Sequence, residues 1–305
     1  MSKLAVSPHI HSGMTTSGIM LDVLIALLPA TVAGVFIFGL RALAVIGVCV
    51  AACVIFEALF NLAAKKPVTV CDLSAAVTGL LLALNLPANI PLWQCVVGAL
   101  FAIVVVKCLF GGLGQNVVNP AITARVFMLV AFGSMTQAAY PANVDTVAGA
   151  TPLAGTTPMP DLLTLFTGYY GGAIGETCAA ALLVGGIYLL VRRVITWHNP
   201  VAFMATVFAF SFFMEGNDPV KALSMVLCGG VIIGAVFMAT DYATSPPTPA
   251  GKLIFGIGCG LLTCLIRYFG SYPEGVSFAI LIMNILTPFI SKWTRHKVFG
   301  TGGAK

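Results

Sequence analysis

Apolar residues run along this chain in long unbroken stretches rather than in alternation. Runs of about 20 apolar residues match the thickness of a bilayer core, whereas strands of a membrane barrel alternate apolar and polar. The runs cover residues 19–39, 41–64, 68–86, 92–110, 121–133, 173–191, 200–214, 220–238, 253–269 and 276–290, and each predicts a helix. Lys65-Lys66-Pro67 ends the second run, because proline cannot continue a helix, and Asp72 is placed to cap the third. Leu86-Pro87-Ala88-Asn89-Ile90-Pro91 reads as a tight turn, and Glu215-Gly216-Asn217-Asp218-Pro219 turns the chain before the eighth run. The third, fifth and seventh runs are short and read as half-helices.

The pattern predicts an all-α integral membrane protein of about ten transmembrane helices. Its expected parts are a cytoplasmic segment (1–18), a first transmembrane half (19–134), an external loop (135–172), a second transmembrane half (173–291) and a basic cytoplasmic tail (292–305). Segment 1–18 is polar and reads as interfacial rather than as a cleavable signal. Runs three and four, with the polar connection Asn116 to Pro120, echo runs seven and eight with Thr240 to Pro249. That echo suggests two pseudo-repeated halves containing short or interrupted helices, an arrangement that in membrane proteins often builds a central site.

Composition excludes a water-soluble domain. The chain has 305 residues, 59% hydrophobic and 8% charged, and its mean hydropathy is +1.02, where soluble domains carry about 25% charged residues. The net charge of +5 comes largely from loop-end Lys and Arg and implies orientation in a membrane, not nucleic-acid binding. With the N-terminus inside, most Lys and Arg, among them Lys65, Lys66, Lys107, Arg192 and Arg193, fall on or near the cytoplasmic side. Arg41, Lys221 and Arg267 fall near the outer side, and both termini are cytoplasmic. The nine cysteines lie mostly in apolar runs without a C-x-x-C, and read as small buried hydrophobes.

Residues 135–172 form the longest polar gap and contain no Lys or Arg, so the gap faces out. Within it, Asp145-Thr146-Val147-Ala148-Gly149-Ala150-Thr151-Pro152-Leu153 sets a hydroxyl nucleophile, Thr151, in a small-residue turn where a phosphoryl-linked cofactor can be esterified. Gly-Ala-Thr alone reads equally as a turn. Asp22, Glu57, Arg125, Glu176, Asp241 and Arg267 lie in or beside the apolar runs, where ionisable groups are expensive. Each is either functional or one partner of an internal ion pair; Glu57 and Asp22 are candidates for a cation path. The glycine-rich stretch 111–120 permits close approach of a ligand to backbone but has no βαβ context for a dinucleotide fingerprint.

Asp145, Gly149, Ala150 and Thr151, followed by Pro152-Leu153, resemble the site at which a flavin transferase attaches FMN to Thr through a phosphodiester. Ser7-Pro8-His9-Ile10, Gly114-Gln115-Asn116 with Asn119-Pro120 and Arg125-Val126-Phe127, and Met238-Ala239-Thr240-Asp241 with Pro249-Ala250-Gly251-Lys252 resemble blocks of the NqrB/RnfD family. The resemblance covers nearly the whole chain and lies nearer the RnfD branch. Ala148 stands where the attachment motif usually has Ser or Thr.

The resemblance implies a bacterial inner-membrane subunit of an Rnf-type ferredoxin:NAD oxidoreductase that moves electrons in step with Na⁺ or H⁺ and is inactive alone. It implies FMN on Thr151, with Arg125 as a counter-ion for anionic flavin or phosphate. The blocks Asn116 to Arg125 and Thr240 to Lys252, with Asn116, Asn119, Arg125 and Asp241 among them, would line a cytoplasmic-side pocket for a second, non-covalent flavin such as riboflavin. The implied partners are other membrane and peripheral subunits, one of them a second flavinylated subunit, together with a flavin transferase and membrane lipid. The competing readings are an NqrB-type subunit of a Na⁺-translocating NADH:quinone reductase and a solute transporter or channel.

Overall fold

The computed structural model describes residues 15–67, 69–141, 151–154, 159–270 and 274–295. Among them are twelve α-helices and no strand. Helices α1 (Thr16–Phe38), α2 (Leu40–Ala63), α3 (Ser74–Leu84), α4 (Leu92–Leu100) and α5 (Pro120–Ala131) form a first group. After the long connection and short α6 (Leu162–Thr167) come α7 (Ala179–Val191), α8 (His198–Met214), α9 (Pro219–Leu227), α10 (Val231–Ile233), α11 (Pro249–Phe269) and α12 (Val276–Trp293). Helix α4 runs on as π-helix through Cys108, and α10 through Met238.

Four helices, α1, α2, α11 and α12, are long and apolar enough to cross a membrane, or five if the bent pair Pro219–Leu227 and Val231–Met238 counts as one span. Segments of 10–17 residues, such as α3, α5 and α7, fall short of the full length. The ten predicted runs each contain a helix, but a single length class does not describe them. The outward faces of α1 and α2 carry Leu28, Val32, Phe36 and Leu59, all at least half exposed, as suits side chains whose solvent is lipid.

Packing repeats at an offset of five runs. In the first group α2 lies against α3 and α4, and α4 against α5; in the second α8 lies against α9 and α11, and α11 against α12. Helices α1 and α7 pack on each other, as do α5 and α12. Equivalence therefore joins the third run to the broken eighth and the fourth to the ninth, not the third and fourth to the seventh and eighth. Small residues allow the close approaches. A Cβ on Gly79 of α3 would lie 2.9 Å from the Cys49 carbonyl oxygen of α2, and one on Gly256 of α11 would lie 2.7 Å from that of Asn199 on α8.

Two helix ends differ from the sequence pattern for the same reason. Run 173–191 becomes helical only at Ala179, because the preceding residues serve α3: Gly175 N–H donates to the Leu84 carbonyl at 2.7 Å and Ile174 N–H to that of Leu86 at 3.0 Å. These bonds satisfy carbonyls at the C-terminal end of α3 that have no partner within the helix. Run 220–238 breaks at residues 228–230 with a bend of 64°. The Arg267 guanidinium donates to the freed Met225 and Cys228 carbonyls at 2.7 and 3.1 Å. Broken backbone at membrane depth survives only with such partners.

Candidate functional site

Helix α5 organises the polar interior. Asn119 caps it, its Oδ1 accepting from Ala121 N–H at 3.0 Å, and Pro120 occupies the first turn, where its missing N–H costs nothing. Asn119 also donates through Nδ2 to the Met238 carbonyl, which ties the cap to the end of the broken span. Arg125 lies further along the same helix and is buried. Its Nη1 donates to Asn85 Oδ1 at 2.7 Å, and its Nη2 pairs with Glu176 at 2.7 Å and with Glu274.

The chain brings these carboxylates in from afar. Glu176 sits in the non-helical stretch that serves α3, and Glu274 closely precedes α12. Their side chains are 2% and 20% exposed, so Glu176 is sealed in while Glu274 reaches the rim. Gly230, in the break before α10, makes room for the cluster: a Cβ there would lie 2.9 Å from Glu176 Oε1 and 3.4 Å from Arg125 Nη1.

Thr151 meets this cluster. It shares with Asn85, Arg125, Glu274 and Gln137 a cavity of about 60 Å³. Its Oγ is buried and has no hydrogen-bond partner among the described residues, although buried hydroxyls are normally bonded. Two connections hold it there. Ala139 and Gly172 exchange backbone hydrogen bonds at 3.3 and 2.9 Å, which pins the two ends of the long loop together. Leu153, in the turn Pro152–Ala154, packs with Leu165, Tyr170 and Cys228. Asp145, Gly149 and Ala150 lie outside the described residues.

A second cavity, of about 100 Å³, is lined by Asn116, Asn119, Asp241, Thr240, Lys107 and Ser74. Asn116 and Asn119 of one polar block and Thr240 and Asp241 of the other line it together, whereas Arg125 lines the Thr151 cavity and Lys252 lines another. The difference follows from helix geometry: six residues at about 1.5 Å rise carry Arg125 roughly 9 Å along α5 from its cap.

Lys107 and Glu57 form a third group. Both are almost fully buried and pair at 3.0 Å. Lys107 Nζ also donates to Ser74 Oγ at 2.6 Å, and Thr69 Oγ to Glu57 Oε1 at 3.0 Å. Asp72 is not the N-cap of α3, which is Leu73; it stands one residue ahead and accepts from Ser74 N–H at 2.8 Å. Asp22 pairs with Arg192 at 3.2 Å and accepts from Tyr188 OH. Asp22, Glu57 and Arg125 thus have internal ionic partners, while Arg267 is bonded to backbone carbonyls. Sequence reasoning singled out neither Glu274 nor Asn85 nor the pairing of Lys107. An acidic residue placed between two apolar runs was the one available signal for Glu274. All nine cysteines are free, and seven are buried.

Comparison with known proteins follows the same lines. Residues 3–300 match the model of the NQR2, RnfD, RnfE family. The chain is 49% identical over 302 residues to the D subunit of the Na⁺-translocating ferredoxin:NAD⁺ oxidoreductase complex of Acetobacterium woodii, covering 96% of this chain and 94% of that one. It is 40% identical to the D subunit of the proton-translocating ferredoxin:NAD⁺ oxidoreductase complex of Clostridium ljungdahlii, covering 98% and 96%. It is 35% identical to the D subunit of the ion-translocating oxidoreductase complex of Halorhodospira halophila, again covering 98% and 96%. On the family match and these relatives, the chain is a member of the NQR2, RnfD, RnfE family, a multi-pass membrane subunit of an ion-translocating oxidoreductase complex.

Proposed function

We propose that this chain is the membrane subunit of a ferredoxin:NAD oxidoreductase complex that carries FMN esterified to Thr151 and passes electrons in step with Na⁺ or H⁺ movement. The observation that carries the reading is the buried, unpartnered Thr151 hydroxyl at a cavity that also holds Arg125. Its room of about 60 Å³ is well below the roughly 300–1,000 Å³ of ordinary small-molecule sites. Such a volume would hold a phosphoryl link on Thr151 Oγ.

When bound, the flavin supplies electron carriage, and the protein supplies position and electrostatics. Thr151 anchors the group by its Oγ. Arg125, held by Asn85 and paired with Glu176 and Glu274, is the permanently charged guanidinium that would pair with an anionic group at the cavity. Asn116, Asn119 and Asp241 line the second cavity, which we assign to a non-covalent flavin of the riboflavin type, offering amide and carboxylate groups to its polar edges. The loop bearing Thr151 is assigned to the outer face of a bacterial inner membrane and both termini to the cytoplasm, in line with the absence of Lys and Arg from 135–172. The remaining subunits and a flavin transferase complete the partners. A solute path is the lesser reading, because a solute channel has no use for an attachment loop.

The test is intact-protein mass spectrometry of the chain purified from membranes, with peptide mapping of 135–172. The expected result is one FMN less one water, on Thr151, lost in Thr151→Ala with membrane insertion unchanged. An unmodified Thr151 in cells with a working transferase would overturn the assignment and bring the solute path forward.

A further inference from the structure

Arg125 is the only cation among the described residues that line the Thr151 cavity, yet its guanidinium is committed to two carboxylates, Glu176 and Glu274. Arg267, the neighbouring cation, spends both terminal nitrogens on the Met225 and Cys228 carbonyls. A phosphodiester on Thr151 Oγ therefore meets no uncommitted guanidinium among the described residues, in a space largely cut off from water where a buried anion needs a partner. The cavity accepts that anion once one carboxylate leaves.

The two carboxylates are not equivalent in their freedom to do so. Glu176 is sealed, 2% exposed, on backbone adjacent to the bonds that serve α3, and the Tyr170 hydroxyl donates to its carbonyl. Glu274 is ten times more exposed, at 20%, and stands on two non-helical residues in front of α12. We infer that Glu274 is a placeholder anion: in the unflavinylated chain it neutralises Arg125, and on attachment the phosphodiester takes its place while Glu274 turns out to solvent. Attachment would form the Thr151 Oγ–P bond and break the P–O–P bond of a flavin dinucleotide donor, with AMP leaving and the hydroxyl proton passing to the transferase; Arg125 stays protonated and paired throughout, so one anion is exchanged for another beside it. The exchange gives unmodified subunit a stable form before maturation and ties the conformation at the start of α12 to flavin attachment. This inference rests on the assignment of FMN to Thr151.

The test is carboxyl footprinting of the membrane complex with a water-soluble carbodiimide and a small amine, on material from cells with and without the flavin transferase. Intact mass first establishes whether Thr151 carries FMN. Expected is a severalfold rise in labelling of Glu274 upon flavinylation, because the ion pair that shields most of its side chain is lost, with Glu176 protected in both states. Equal labelling of Glu274 in verified loaded and unloaded chains, or less in the loaded one, overturns the exchange. Absence of FMN from Thr151 instead overturns the attachment assignment itself, and the two failures are told apart by the mass. A second measurement uses Glu274→Gln, which should lower the melting temperature of the unloaded form and leave the loaded form unchanged. An equal drop in both forms shows that Glu274 stays on Arg125 and sinks the proposal.

Discussion

At the scale of single residues, the ionisable side chains in this apolar protein are held by partners, and that makes their substitutions predictable. Lys107 and Glu57 are both almost fully buried. Removing one leaves the other charge unpaired, which costs about 3–5 kcal/mol, whereas replacing both with apolar groups of similar size is close to neutral. Lys107→Met should therefore lower stability strongly, and Lys107→Met combined with Glu57→Leu should recover most of the loss. Thermal melts of the four forms, read as a double-mutant cycle, check this; additive losses would show that the pair is not coupled. Glu57→Gln, which keeps a hydrogen-bond acceptor for Thr69, should reduce ion movement per electron in proteoliposomes while flavin content by mass stays the same. Unchanged coupling would remove Glu57 from the cation path.

At the scale of elements, the informative features are the places where helices stop. Residues 173–178 donate N–H groups to carbonyls at the end of α3, and the break at 228–230 frees carbonyls that Arg267 satisfies; the two bring Glu176 and Gly230 to Arg125. Gly230→Val pushes a side chain into the Glu176 and Arg125 groups and should cost roughly 1–3 kcal/mol by overpacking. Gly47→Ala, where a Cβ meets nothing within 4 Å, should change stability by less than about 0.5 kcal/mol. Comparing detergent-solubilised melting temperatures of the two tests whether the break is tightly packed around the ionic cluster. Similar values for both would contradict that packing. Apolar runs announced these helices, but not their ends, because an unbroken apolar run reads the same whether its first turn is helical or bonded to a neighbouring helix.

At the scale of the whole molecule, two groups of helices pack alike and meet through α1 with α7 and α5 with α12. The Thr151 cavity and the Asn116 cavity lie at different points along α5, so one short helix separates the two places assigned to flavin. Orientation in the membrane has a direct reporter. Cys71 is the only exposed cysteine of the nine, and it lies just after the Lys65-Lys66 turn assigned to the cytoplasm. A membrane-impermeant maleimide should label Cys71 in inside-out vesicles and spare it in intact spheroplasts. The opposite pattern would invert the topology and place the Thr151 loop inside.

The sequence by itself determined the class of protein, the location of its helices, the family blocks and the candidate hydroxyl at Thr151. These are local properties: apolar run length and short motifs are written in consecutive residues. Tertiary structure alone decided which charges meet. Arg125 and Glu274 stand 149 residues apart, and Lys107 and Glu57 stand 50 apart. Their encounters follow from helix packing and from the two breaks, which no local pattern encodes. The same packing moved Arg125 from the Asn116 block to Thr151, and it set the equivalence of helices at five runs rather than four. In an apolar interior each buried charge needs a partner; the sequence shows that need at each position, and the fold supplies the partner.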